Sequence, residues 1–431
     1  MNLMSKGNPS HYVIIGNSAA GITAAKEIRR YDPEGRITMI SDEPNFGYSR
    51  VLLPLYVGGK IRKRDMVLTP RSFYSSLKIR LLRGETAESI DPKNQRVHTQ
   101  SGVNIPYDRL LVATGSSPVK LNIPGGDLQG IYPLRKLGDA EAIRADLSSS
   151  RGNVLVVGGG LVGVKSLEAL ISRKRKAHLV ISSDRILSQM LDKTASDLFL
   201  EAFQRNGVTV HVHTDVESFS GTKRLEGAVL SDGTSLSCDL AITGKGVHPN
   251  VGPLKGTGVT LNQGIIVDSH MATHLPSVYA AGDVAEVFDL LQGRSRGNAI
   301  WPLAVEGGRV AGANMAGVSA ALAGGLRMNS IEVLGTRVIS AGEWEGKEQL
   351  TALKNEGSIY RKLVFGGGRL RGFILAGDIR CAGVLTALVK NRTEVGSSLL
   401  EEGLDRGFSY WPRLQALAGE ILVRENGRRS F

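Results

Sequence analysis

Residues 154–185 read VLVVGGGLVGVKSLEALISRKRKAHLVISSDR. Four consecutive aliphatics, Val154 to Val157, predict a buried strand. Gly158, Gly160 and Gly163 complete a G-x-G-x-x-G turn, a helix opens at Leu161 and Val162, and a second strand runs toward Ser182 and Ser183. This is the layout of a dinucleotide-binding unit. Its glycines permit a tight turn, close backbone approach to a pyrophosphate and close helix–strand packing, while the helix start offers free N–H groups. Where the second strand ends, a carboxylate ordinarily accepts hydrogen bonds from the adenosine ribose. Ser182 and Ser183 stand there instead.

The basic run Arg173 to Lys176 invites a phosphate-binding reading. It closes the helix and precedes the second strand, whereas the ribose belongs at that strand's far end, about 15 Å away at roughly 3.3 Å per residue. Arg185 is the cation placed to meet a ribose phosphate. Loss of the acid removes a penalty against NADP without establishing a preference, so NAD is expected and NADP stays open.

The layout recurs in residues 11–43, HYVIIGNSAAGITAAKEIRRYDPEGRITMISDE. A strand from Val13 to Ile15 meets Gly16-x-Ser18-x-x-Gly21, an alanine-rich helix containing Ala20 follows, and the strand Arg36 to Ile40 leads to Asp42. Asp42 lies about 20 residues beyond the last glycine, where a carboxylate reaches a ribose. Ser18 replaces the usual middle glycine. Two further apolar strands end in glycine turns, YDRLLVATGSSP (107–118) and SVYAAGDVAE (277–286). Each alone reads as a buried strand and a turn, and their order relative to the two glycine fingerprints makes them informative.

These four ordered motifs resemble the FAD-dependent pyridine nucleotide-disulfide oxidoreductase family, and within it the branch of NADH–rubredoxin reductases and nitrite reductase flavin domains. The resemblance implies an α/β fold with two Rossmann-like dinucleotide-binding domains plus a smaller α+β C-terminal interface domain. The expected bounds are 1–130 and 247–325 for FAD, 131–246 for NAD(P) and 326–431 for the interface domain. It implies that Gly16, Ser18, Ala20, Gly21, Asp42, Arg50 and Ala87 serve FAD. The turn Ala113-Thr114-Gly115, Arg135, the pair Gly282-Asp283 and Trp301 are assigned to the same cofactor. Gly158, Gly160, Leu161, Val162, Gly163, Ser182, Arg185, Gly244 and Gly246 are assigned to NAD(P). Strands in IEVLGTRVISAG, YRKLVF and LRGFILAG, with an apolar helix near 380–391, resemble the branch's C-terminal domain. Residues 402–431 are basic and have no family counterpart.

The chain has two cysteines, Cys238 and Cys381, far apart in sequence. They cannot form a CxxC redox pair or a four-cysteine iron–sulfur site. Disulfide, peroxide and coenzyme-A branches of the family place a redox cysteine after the first unit, but NFGYSRVLLPLYVGG (45–59) has none. Tyr48 and Arg50 match a ferredoxin-reductase segment whose serine and lysine positions are here Pro54 and Leu55, so the role of that lysine is lost. The eight histidines do not cluster at metal spacing, although His211 and His213 alternate on an expected strand and read as a solvated pair. No metal is expected.

What remains is hydride exchange between a nicotinamide and a flavin, with electrons passing to or from an iron–sulfur protein or subunit. A formal net charge of +12 favours an acidic partner, with a homo- or hetero-oligomer formed through the C-terminal domain. The expected function is a FAD-dependent NAD(P)(H):acceptor oxidoreductase, in the form of the flavin subunit of a phenylglyoxylate-type 2-oxoacid oxidoreductase complex. The alternatives are a free-standing rubredoxin or ferredoxin reductase and a non-catalytic flavin-binding assembly protein. No recognition motif accompanies the basic residues, which excludes a nucleic-acid binder. The start, MNLMSKGNPSHYVIIG, is too polar for a signal peptide and no apolar run approaches the roughly 18 residues of a membrane span, so a cytoplasmic protein is expected. Lys165 occupies a helix first turn where relatives carry glutamate. A cation there costs about 0.3–1 kcal/mol unless an anion offsets it, which makes Lys165 a candidate for tuning flavin potential or nucleotide binding.

Overall fold

The computed structural model describes residues 9–354 and 358–395, so the basic segment 402–431 lies outside the described residues. The chain forms two compact units, the first from residues up to 56, 61–119 and 246–325, the second from 57–60, 120–245 and 326 onward.

In the first unit, strand β1 (His11–Ile15) runs through the glycine turn into helix α1 (Ala19–Tyr31) and strand β2 (Arg36–Ser41). The parallel sheet runs Val278–Ala280, Arg109–Val112, β1, β2, Ile79–Arg83. All five residues of β1 are buried, as expected of a central parallel strand covered on both faces. The helix Trp301–Met315 crosses α1 at backbone distance. A Cβ on Gly308 would overlap the Ala20 carbonyl, and one on Gly312 would crowd Ala24.

In the second unit the opening stretch forms β3 (Val154–Val157), α2 (Leu161–Ser172) and β4 (Ala177–Val180), followed by α3 (Lys193–Arg205) and β5 (Val208–His211). The parallel sheet order is β5, β4, β3, Leu240–Thr243, Ile131–Pro133. Leu155, Val157 and Val180 bury one face against Val216, Phe219 and Leu230 of a three-stranded antiparallel meander. Each such side chain contributes about 1.5–3 kcal/mol of transfer free energy.

The C-terminal part supplies β6 (Met328–Val333), β7 (Thr336–Gly342), β8 (Glu348–Lys354), β9 (Ile359–Gly366) and β10 (Arg369–Ala376), an antiparallel sheet in the order β6, β7, β10, β9, β8. Helix α4 (Ala382–Asn391) buries Leu385, Leu388 and Val389. The architecture has the expected α/β class, with two Rossmann-type sheets and a smaller C-terminal domain.

One expectation is corrected. The strand expected to carry both His211 and His213 ends at His211, and His213 has φ +53°. The partner of His211 is His178, with Nδ1 and Nε2 3.2 Å apart and the rings stacked at 5.5 Å. The parallel register sets His211 opposite Val180, two residues along β4 from His178, so both rings share a face. Among the described residues no three histidine, cysteine or acidic side chains group to hold a metal, and no helix is long and apolar enough to cross a membrane.

Candidate functional site

The turn between β1 and α1 is built from backbone proximity. Gly16 adopts φ +127°, its N–H donates to the Ile40 carbonyl at 2.9 Å, and a Cβ would collide with the Ala113 carbonyl. A Cβ on Gly21 would collide with the Gly16 carbonyl. Ser18 starts α1 with extended backbone and no side-chain cap, and the first turn holds no carboxylate. Helix α3 differs, because Asp192 accepts from the Ala195 N–H at 3.1 Å. The uncapped start of α1 leaves N–H donors and the positive end of the helix dipole for a phosphate.

The second turn repeats this chemistry. Gly158 has φ +106° and a Cβ there would collide with the Gly244 carbonyl, while a Cβ on Gly163 would collide with the Gly158 carbonyl. Gly160 starts α2, where the first turn is again free of side-chain caps and acids. Leu161 and Val162 are among the exposed large apolar residues. Gly244 is held by a 2.7 Å bond from its N–H to the Val157 carbonyl. Both turns fit a dinucleotide pyrophosphate.

The structure gathers most of the residues assigned to FAD in the first unit. Asp42 follows β2 and is exposed; Ala87 is buried in the strand Ala87–Asp91. The Ala113 N–H donates to the Ile15 carbonyl at 2.8 Å, beside Gly16. The Thr114 hydroxyl donates to the Asn250 carbonyl at 2.8 Å and the Asn250 amide returns a bond to the Thr114 carbonyl at 3.0 Å. Gly115 and Gly282 adopt φ +69° and +82°. Ser116 Oγ donates to Asp283 Oδ2 at 2.8 Å, tying the two glycine turns together. Trp301 opens its helix with Pro302. Arg135, though assigned to FAD, falls outside the first unit. It belongs to the second unit, where its N–H donates to Asp139 at 2.9 Å. Gly246, assigned to NAD(P), falls in the first unit, its carbonyl accepting from Val119 at 3.0 Å.

Several supporting residues escaped the sequence reading. Glu43, next to Asp42, is buried and accepts from Tyr48 at 2.7 Å and from Arg50 at 2.6 Å, fixing the segment that carries Arg50. Ser116 and Asn250 orient Asp283 and Thr114. Glu43 and Ser116 lie within the stretches 11–43 and 107–118 that the sequence marks, but their contacts join residues that no local pattern pairs.

Around α2 the chain supplies the anion that Lys165 requires. Lys165 Nζ pairs with Glu168 one turn on and donates to the Glu332 carbonyl of β6 at 2.9 Å. Ser182 is exposed, and Ser183 Oγ donates to the Arg185 carbonyl at 2.7 Å. Arg175, from the basic run, is buried and donates to the carbonyls of Leu147, Ser150 and Gly152 at 3.0, 2.9 and 2.6 Å. It is a structural arginine at the strand's near end.

Both cysteines lie in the second unit. Burial, then the charge of Asp239, pushes the Cys238 thiol up to about 12, and burial raises Cys381 as well. Neither is a thiolate nucleophile near neutral pH.

Two parallel sheets, each with an uncapped glycine-turn helix, define a two-dinucleotide oxidoreductase. The chain belongs to the pyridine nucleotide-disulphide oxidoreductase family, which residues 10–308 match, while residues 328–393 match the rubredoxin NAD+ reductase C-terminal domain. The family works with FAD and NAD(P)H. The chain is 30% identical to nitrite reductase [NAD(P)H] of Bacillus subtilis over 90% of its own length and 48% of the relative's, so it spans about half of that protein. It is 32% identical to the epsilon subunit of NADH-dependent phenylglyoxylate dehydrogenase of Aromatoleum evansii, over 89% of this chain and 92% of the subunit. The reductase of the covalent putidaredoxin reductase–putidaredoxin complex shares the fold, with a TM-score of 0.88, 24% identity and coverage of 95% and 99%.

Proposed function

We propose that this protein is a FAD-dependent NAD(P)(H):acceptor oxidoreductase that passes electrons between a nicotinamide nucleotide and an iron–sulfur protein or subunit, and that it serves as the flavin subunit of a 2-oxoacid oxidoreductase complex. The observation that carries the electron-transfer reading is the lack of a redox thiol: residues 45–59, where the family's disulfide branches place one, hold no cysteine, and burial raises the thiols of both Cys238 and Cys381. A bound flavin accepts a hydride's two electrons together and releases them singly. The residues present need only bind and orient two nucleotides. Gly16, Ser18, Ala20, Gly21, Asp42, Arg50, Ala87, Ala113, Thr114, Gly115, Arg135, Gly282, Asp283 and Trp301 are assigned to FAD. Gly158, Gly160, Leu161, Val162, Gly163, Ser182, Arg185, Gly244 and Gly246 are assigned to the nicotinamide nucleotide.

The complex-subunit reading is supported by end-to-end similarity to the phenylglyoxylate dehydrogenase epsilon subunit. The match of residues 328–393 to a rubredoxin reductase domain favours, as second reading, a free-standing carrier reductase. In both, the net charge of +12 suits an acidic partner. The C-terminal domain is assigned to the partner or subunit interface, the domain bounds being 1–130 with 247–325, 131–246 and 326–431, in a cytoplasmic protein. Lys165, which the helix start at Leu161 puts in the second turn of α2 rather than the expected first, adjusts nucleotide binding by tying α2 to β6, and Lys165→Ala is expected to change nucleotide affinity.

Anaerobic titration of the purified yellow protein with NADH and with NADPH, followed by flavin absorbance, tests the oxidoreductase reading; a flavin that neither reduces overturns it. Full carrier reductase activity of the isolated chain would favour the free-standing reductase over the subunit.

A further inference from the structure

Every guanidinium nitrogen of Arg185 is engaged. Nη1 bonds Asp184 at 3.2 Å, Nη2 bonds Glu345 at 3.4 Å, and Nε donates to the Leu191 carbonyl at 3.3 Å. Arg185 is the cation that the strand–turn geometry places where a ribose 2′-phosphate would arrive. It is already neutralised by two carboxylates, one of them 160 residues away in sequence.

The Glu345 side chain itself is exposed, but the chain on either side of its contact with Arg185 is anchored. The guanidinium of Arg327 lies 5.5 Å from the ring centre of Trp344, the neighbour of Glu345, and also donates to Gln189 at 3.4 Å. Asp192, which closes the same loop, accepts from Tyr360 at 2.6 Å and Lys362 at 2.9 Å. The segment from Ser182 to Asp192 is thereby tied to the C-terminal part at Arg185, Gln189 and Asp192.

Resting on the assignment of this turn to a nicotinamide nucleotide, we propose that Glu345 determines nucleotide specificity. Together with Asp184 it holds Arg185 and sets negative charge where a 2′-phosphate would bind, so that NAD is selected over NADP. The acid missing at Ser182 is replaced by one contributed from the C-terminal part. Selectivity is a difference of two affinities, and a doubly charged phosphate beside two carboxylates pays repulsion that a ribose hydroxyl does not.

The test is calorimetric titration of the full-length, flavin-loaded protein with NAD+ and with NADP+. Wild type is expected to bind NAD+ more tightly. Glu345→Gln, which keeps the shape and removes the charge, is expected to raise the NADP+ to NAD+ affinity ratio about tenfold, and Glu345→Asp to keep the wild-type ratio. Arg327→Ala, which loosens the loop with the acid intact, is expected to weaken both nucleotides without moving the ratio. Wild-type preference for NADP+, an unmoved ratio in Glu345→Gln, or an equal shift in Arg327→Ala each overturns the proposal while the nucleotide site stands. Failure of either nucleotide to bind wild type overturns the site assignment and the proposal with it.

Discussion

Tyr360, in strand β9 of the C-terminal sheet, donates a 2.6 Å hydrogen bond to Asp192, the residue that caps α3 of the nucleotide-binding sheet. The same carboxylate accepts from Lys362 at 2.9 Å, and both ionic side chains are largely buried, at 13% and 7% exposure. One aspartate thus caps a helix and joins two sheets.

Removing one partner of a buried pair strands the other charge, which costs about 3–5 kcal/mol, whereas a hydrogen bond donated to a charged group is worth about 1.5–3 kcal/mol. Asp192→Asn is therefore expected to destabilise the second unit by about 4 kcal/mol and Tyr360→Phe by about 2 kcal/mol. Denaturant titrations of the two variants measure the difference, and equal losses would deny Lys362 its role.

The two glycine turns are separable. A Cβ on Gly163 collides with the Gly158 carbonyl, and one on Gly16 collides with the Ala113 carbonyl. Gly163→Ala is expected to purify yellow but bind NAD(H) at least about 100-fold more weakly, since binding needs the undistorted helix start. Gly16→Ala is expected to lose flavin on purification. Flavin content and nucleotide titration read the two outcomes.

Arg175 donates to three backbone carbonyls from a buried position. Arg175→Ala leaves those carbonyls without their donors and is expected to lower stability by about 3 kcal/mol. The ratio of NADP+ to NAD+ affinity should not move, because this guanidinium lies at the wrong end of β4 to meet a ribose.

Acid should weaken the second unit in two stages. Burial first, and then the neighbouring His211, hold His178 below its ordinary value of 6.5. The unfolded chain therefore binds the proton first, and stability falls as pH drops through about 6.5. The Arg380 side chain, against the opposing effect of burial, and with Arg361 assisting, holds the Asp378 carboxyl well below its ordinary 3.8. That stabilisation is complete above about pH 4 and is lost as pH falls further. Melting temperature against pH should lose its upper step in His178→Gln and its lower step in Asp378→Asn.

The sequence by itself determined both nucleotide turns. Gly16, Gly21, Gly158 and Gly163 are needed because backbone atoms occupy the space of a side chain, and flanking runs of aliphatics mark strands buried on both faces. Periodicity likewise located the C-terminal strands and α4. Only tertiary structure could decide what the charged residues do, because a side chain's partner is set by which strands lie side by side and not by its own type. Arg175 proved to be buried scaffolding, His178 rather than His213 meets His211, and Lys165 finds its anion in Glu168. Arg185 is answered from Glu345, a contact between segments 160 residues apart that no local pattern encodes.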